Sequence, residues 1–128
     1  MKAIVKCLSI AMLVTVLAGC ARTAPVDNIQ TVARGSHSAL QVKTAILKAG
    51  LERDWVMTEA GPGVINGRLL QRGHSVDIRI PYTSTGYSIN YVGSTNLKAA
   101  DGKIHKSYNR WVHNLDKNIQ LNLAASGL

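Results

Sequence analysis

The chain has no phenylalanine, only two cysteines and only seven acidic residues among 128. Each scarcity excludes something. Cys7 and Cys20 both fall in the first 20 residues, so the rest of the chain has no thiol. It forms no disulfide, no cysteine metal site and no cysteine nucleophile, and its stability must come from packing. The acids Asp27, Glu52, Asp54, Glu59, Asp77, Asp101 and Asp116 are scattered rather than paired, so no carboxylate couple is set up for acid–base chemistry. No Gly-x-Ser-x-Gly elbow occurs. Gly61-Pro62-Gly63 lies between expected strands, where no helix N-terminus follows to hold a phosphate. The hydroxyls of Thr83-Ser84-Thr85 are explained by turn chemistry. His37, His74, His105 and His113 lack metal-site spacing; His105 and His113 are about 80° apart on a helix. With no nucleophile, base or metal set assembled, the chain reads as non-enzymatic, with no metal and no cofactor.

What is present begins at the N-terminus. Lys2 and Lys6 make a positive start, Ile4 to Leu17 is mostly apolar, and Leu17-Ala18-Gly19-Cys20 follows. The apolar run is near the length of a secretion signal's core and short of the ~20 residues that span a bilayer, so a transmembrane anchor is the weaker reading. An ordinary cleaved signal peptide with a chance cysteine is the other alternative.

This segment resembles the lipobox of bacterial lipoproteins. The resemblance implies cleavage between Gly19 and Cys20 and covalent lipid on Cys20, with acyl chains enough for stable anchoring. In that class an aspartate after the cysteine favours the inner membrane; Ala21 stands there instead, which implies outer-membrane cargo, most simply facing the periplasm. In layout the whole chain is similar to small Gram-negative outer-membrane lipoproteins. That similarity transfers no binding or catalytic residues.

Three segments are expected: a cleaved signal over 1–19, lipidated Cys20 with a flexible tether over 20–36, and one domain over 37–128. The tether carries Pro25, Gly35 and no period, and fully extended it would reach roughly 50 Å. Ser38 to Arg53 has helical spacing, with Ala39, Val42, Ile46 and Ala49 on one side and Ser36 or Ser38 as cap. Four strands are expected at Trp55–Glu59, Val64–Gln71, Ser75–Tyr82 and Tyr87–Val92, joined by short turns as a meander. Val76, Ile78, Ile80 and Tyr82 give the clearest alternation. Gly93 to Gly102 reads as a loop. From Lys103 to about Ala125 a second helix is expected, with Tyr108, Trp111, Val112, Leu115 and Ile119 as its apolar stripe. The fold class is α+β: two layers, helix, four-stranded antiparallel meander, helix, with both helices on one sheet face.

Removing residues 1–19 leaves 13 basic side chains against seven acidic ones, a net charge of +6. That balance suits anionic neighbours. Lys103, Lys106, Arg110 and Lys117 fall within about 60° on the expected second helix, and they are the candidate residues for an anionic partner. The same stripe is also what the solvated back of an amphipathic helix looks like. Expected partners are the membrane, through the anchor, and an envelope protein, lipopolysaccharide or peptidoglycan; nucleic acid is not expected. Edge pairing with an extended peptide along Trp55–Glu59 or Tyr87–Val92 is a second docking mode. The rival class is a small-ligand or glycan receptor, or an enzyme, with a pocket lined by Tyr82, Tyr87, Tyr91 and a histidine.

Overall fold

The computed structural model describes residues 22–126; Gly19, Cys20 and the signal lie outside the described residues. The element order is β1 (Thr23–Pro25), β2 (Ile29–Val32), α1 (Ala39–Glu52), β3 (Trp55–Gly61), β4 (Val64–Gln71), β5 (His74–Thr83), β6 (Gly86–Thr95), β7 (Lys103–His105) and α2 (Lys106–Ser126). The class is α+β, as the periodicity implies. The sheet, however, has five strands in the order β2-β6-β5-β4-β3, all pairs antiparallel, and β1 with β7 forms a separate two-stranded ribbon.

Local chemistry explains the regular elements. Ser38 accepts from the Gln41 amide at 3.1 Å, and the Gln41 side chain accepts from the Ser38 amide at 2.8 Å. This reciprocal capping box fixes where α1 begins. Val42, Ala45, Ile46 and Ala49 then face inward. Along the sheet, Trp55, Ile65, Leu69, Val76, Ile78, Ile80, Tyr87 and Ile89 are buried, and they form one core with Val42 and Ile46 of α1 and Tyr108, Val112, Leu115, Ile119 and Leu123 of α2. Burying each large aliphatic stabilises by about 1.5–3 kcal/mol. On the other face Asn66, Arg68, Leu70 and Arg79 are exposed. There Arg68 grips the directly opposite Asp77 with two bonds, at 2.7 and 3.2 Å.

Three expectations need correction. Residues 20–36 do not form a tether throughout: Thr23–Pro25 and Ile29–Val32 are strands. β2 docks because Gly86 opposite Val32 has no side chain; a Cβ there would lie 2.5 Å from the Thr31 carbonyl oxygen. Lys103 is not on the second helix. Asp101 and Gly102 both have positive φ (53° and 74°), so the chain turns back and Lys103–His105 pairs with β1 before α2 starts. Finally, β6 is not a sheet edge over Gly86–Ile89, since β2 covers it.

The β4–β5 turn holds a built-in strain. Arg72 and Gly73 have φ of 51° and 79°, the pattern of a two-residue turn that prefers Asn-Gly. Arg72→Asn is therefore expected to raise stability by about 0.5–1 kcal/mol. An unchanged or lower urea midpoint, with an unchanged m-value, would contradict this.

Candidate interaction face

One end of the sheet gathers a group of exposed cations that are in no ion pair among the described residues. The pairing places the β4–β5 turn beside the end of β6: His74 Nδ1–H donates to the Asn96 carbonyl at 2.7 Å, and Asn96 Nδ2 donates to the Gly73 carbonyl at 2.8 Å. Beyond Asn96 the chain makes a small hairpin. The His105 amide donates to the Leu97 carbonyl at 2.8 Å, and Ala100 and Lys103 exchange amide–carbonyl bonds at 3.0 and 2.9 Å. β1 lies along this hairpin, with Thr23 opposite His105 and Pro25 opposite Lys103. The Lys106 amide then donates to the Arg22 carbonyl at 3.3 Å.

Arg22, Lys98, Lys103 and Lys106 are thus grouped around one hairpin, with Arg72 on the adjoining turn, and all five are exposed. The ion pairs among the described residues are Lys43–Glu59, Arg68–Asp77 and His113–Asp27, so none of these five is in one. The first turn of α2 has no acidic residue to offset its positive helix end. Asp101, at the hairpin tip, is the acid nearest in sequence to the group. The end is also strained: Asp54, Arg72, Asn96, Lys98 and Asp101 are the non-glycine residues with positive φ among those described, and all lie here.

Of the four residues expected as one helical stripe, three remain on α2. Lys106, Arg110 and Lys117 fall within about 40° of one another and are exposed. Lys103 joins Lys106 by a different route, through β7.

A second stripe of α2 was not legible as a site. Asn109, His113, Asp116 and Gln120 repeat at i, i+4, i+7 and i+11, and the first three hold the N-terminal segment. Asn109 Nδ2 donates to the Pro25 carbonyl at 2.9 Å, while its Oδ1 accepts from the Asp27 amide at 3.1 Å. His113 Nε2–H donates to Asp27 Oδ2 at 2.9 Å. Asp116 Oδ1 accepts from the Thr31 hydroxyl at 2.8 Å and the Tyr87 hydroxyl at 2.6 Å, and Gln120 donates to its Oδ2 at 2.8 Å. Burial, helped by the Asp116 carboxylate, pushes the Tyr87 phenol well above its usual range. The signal for this latch was a polar row flanking the apolar stripe, which on a simple amphipathic helix is indistinguishable from solvated surface.

No protein-family model matches the chain, and no curated protein matches it.

The remaining candidates disperse. Tyr82 lies opposite Tyr87, whereas Tyr91 stands edge-on to Tyr108 with centroids 5.3 Å apart. A shallow hollow of about 330 Å³ is lined by Tyr82 and Tyr87 with Thr31, Thr83 and Thr85, but neither Tyr91 nor any histidine reaches it. The expected Tyr/His pocket does not assemble. His37 donates to the Arg34 carbonyl at 2.8 Å, and His105 Nδ1 accepts from the Ser107 amide at 3.2 Å. Each histidine thus has its own hydrogen-bond partner, and no two share one. Among the described residues no three His, Cys, Asp or Glu side chains converge as a metal site, and no helix is long and apolar enough to cross a membrane.

Proposed function

We propose that the protein is a lipid-anchored module of the bacterial envelope. Cys20 carries the lipid, the outer membrane holds it, and the domain faces the periplasm. It acts by binding rather than by catalysis, using its basic surface on an anionic partner. The observation that carries this reading is a cluster of exposed cations, Arg22, Lys98, Lys103 and Lys106, none of them in an ion pair among the described residues, grouped where the chain leads back to Cys20. Lys106, Arg110 and Lys117 extend that charge along α2.

Two measurements test it. Metabolic labelling with an alkyne fatty acid is expected to tag the wild type in the outer-membrane fraction and to leave Cys20→Ser untagged. Equal labelling of the two proteins would remove the anchor. Crosslinking in intact cells is expected to lose its anionic partner in the Lys106→Glu, Arg110→Glu double variant; an unchanged crosslinking pattern would remove the basic surface from the mechanism.

A further inference from the structure

The domain has almost no slack between Cys20 and its first strand. Ala21 and Arg22 alone separate Cys20 from Thr23, where β1 begins. Three residue steps reach at most about 10 Å. The strand is then pinned: to β7 along its length, to the Gly102 carbonyl through the Val26 amide at 2.9 Å, and to α2 through Asn109 and His113. A lipid on Cys20 would therefore hold this end of the domain within roughly 10 Å of the headgroups, little more than one screening length (~8 Å at physiological salt). Over one such length a surface potential falls to about a third, so part of the field still reaches this end, whereas a tether of the length expected from sequence would have let the domain drift out of it.

Resting on the anchored reading above, we infer that the domain sits flush on its own membrane. The seat is the β1–β7 ribbon with the start of α2. Arg22, Lys98, Lys103 and Lys106 rest on the headgroup phosphates of anionic phospholipid in the bilayer that takes the Cys20 lipid. Charge complementarity and the short span select this occupant. Asp101 opposes the cations at the hairpin tip and Asp27, just past β1, is taken up by His113, while the first turn of α2 carries no acidic residue and its positive end adds to the cations. The seat fixes orientation. The Thr83–Thr85 turn, at the far end of ten-residue β5, stands about 30 Å away from the bilayer side.

The mature chain has no free thiol once Cys20 is lipidated, so one introduced cysteine reports one place. Full-length lipidated protein, labelled at Ala99→Cys in the hairpin or at Ser84→Cys in the far turn, is reconstituted into vesicles carrying a headgroup nitroxide quencher. On phosphatidylethanolamine–phosphatidylglycerol vesicles the Ala99→Cys label is expected to be quenched several-fold more than the Ser84→Cys label. The contrast is expected to shrink markedly on phosphatidylcholine vesicles, and also when Arg22, Lys103 and Lys106 are changed to Glu, leaving only what the short anchor itself imposes. Equal quenching of lipidated protein on the anionic vesicles overturns the flush seat while leaving the anchor intact. A contrast undiminished in both controls overturns the role of the phosphates. An intact mass without acyl chains defeats the anchor reading, and the seat falls with it. Matching circular dichroism spectra confirm that the triple variant is folded.

Discussion

Raising the pH from 10 to 12 is expected to unfold the domain cooperatively. Tyr87 is 4 % exposed and Tyr108 is fully buried, and both phenols are held above their usual range, chiefly by loss of hydration. In the unfolded chain each ionises near ~10. Between that value and the raised folded value, the unfolded state has lost a proton that the folded state keeps. The stability these two groups contribute is therefore complete below ~10 and is lost as pH rises toward their folded values. Each group costs up to about 1.4 kcal/mol per pH unit, so two groups over two units remove roughly 5 kcal/mol. That is comparable with the whole stability of many small domains. Far-UV circular dichroism should change together with the share of the phenolate absorbance that belongs to Tyr87 and Tyr108, read as the part lost in Tyr87→Phe and Tyr108→Phe. Tyr108→Phe removes one of the two groups and should halve the slope of their contribution. Phenolate absorbance appearing for Tyr87 and Tyr108 before any loss of secondary structure would show that their burial does not resist ionisation.

Asp116→Ala carries the second large effect. Its carboxylate takes hydrogen bonds from β2, β6 and its own helix, the shortest being 2.6 Å from the Tyr87 hydroxyl. Removing it leaves that phenol buried with only the 3.3 Å contact to the Asp116 main-chain carbonyl. Charged-acceptor bonds and stranded buried donors suggest a loss of about 2–3 kcal/mol. Asp116→Asn keeps a neutral acceptor and should lose about half as much. The damage should be local before it is global: in hydrogen exchange, the β2 amides are expected to lose protection while those of β4 and β5 keep theirs. A loss below about 0.5 kcal/mol, or uniform deprotection, would mean that Asp116 does not latch the segment. With β2 released, the stretch between β1 and α1 would behave as the tether that its composition suggests, while β1 stays paired with β7.

Those same strands mark where sequence reading stopped. α1 and the strands from Trp55 to Thr95 follow their periodicity because each is long enough to show a period and is joined to its neighbour by a short turn. β1 is three residues with a proline at its end, and β2 is four residues with Gln30 and Thr31 at its centre. Neither carries an alternation of its own. Their conformation comes from partners far along the chain, which local pattern cannot register. Lys103 was misplaced for a related reason. Its spacing to Lys106 and Arg110 fits a helix, but the left-handed Asp101-Gly102 turn and the β1 backbone outweigh that propensity. The basic residues were legible by type; their convergence with Arg22 and Lys98 was not, because a ribbon makes it rather than a helix face.

The order of assembly follows from the same pairings. Thr23 finds its partner in His105 and Ile29 finds its partner in Ile89, separations of 82 and 60 residues. Closing such loops costs entropy that the neighbouring hairpins do not face, so the meander of β3 to β6 is expected to form before the N-terminal strap docks. Until it does, β6 presents a bare row of amides and carbonyls over Gly86–Ile89, the kind of edge on which chains aggregate. Docking the strap therefore completes the sheet and shields that edge in a single event.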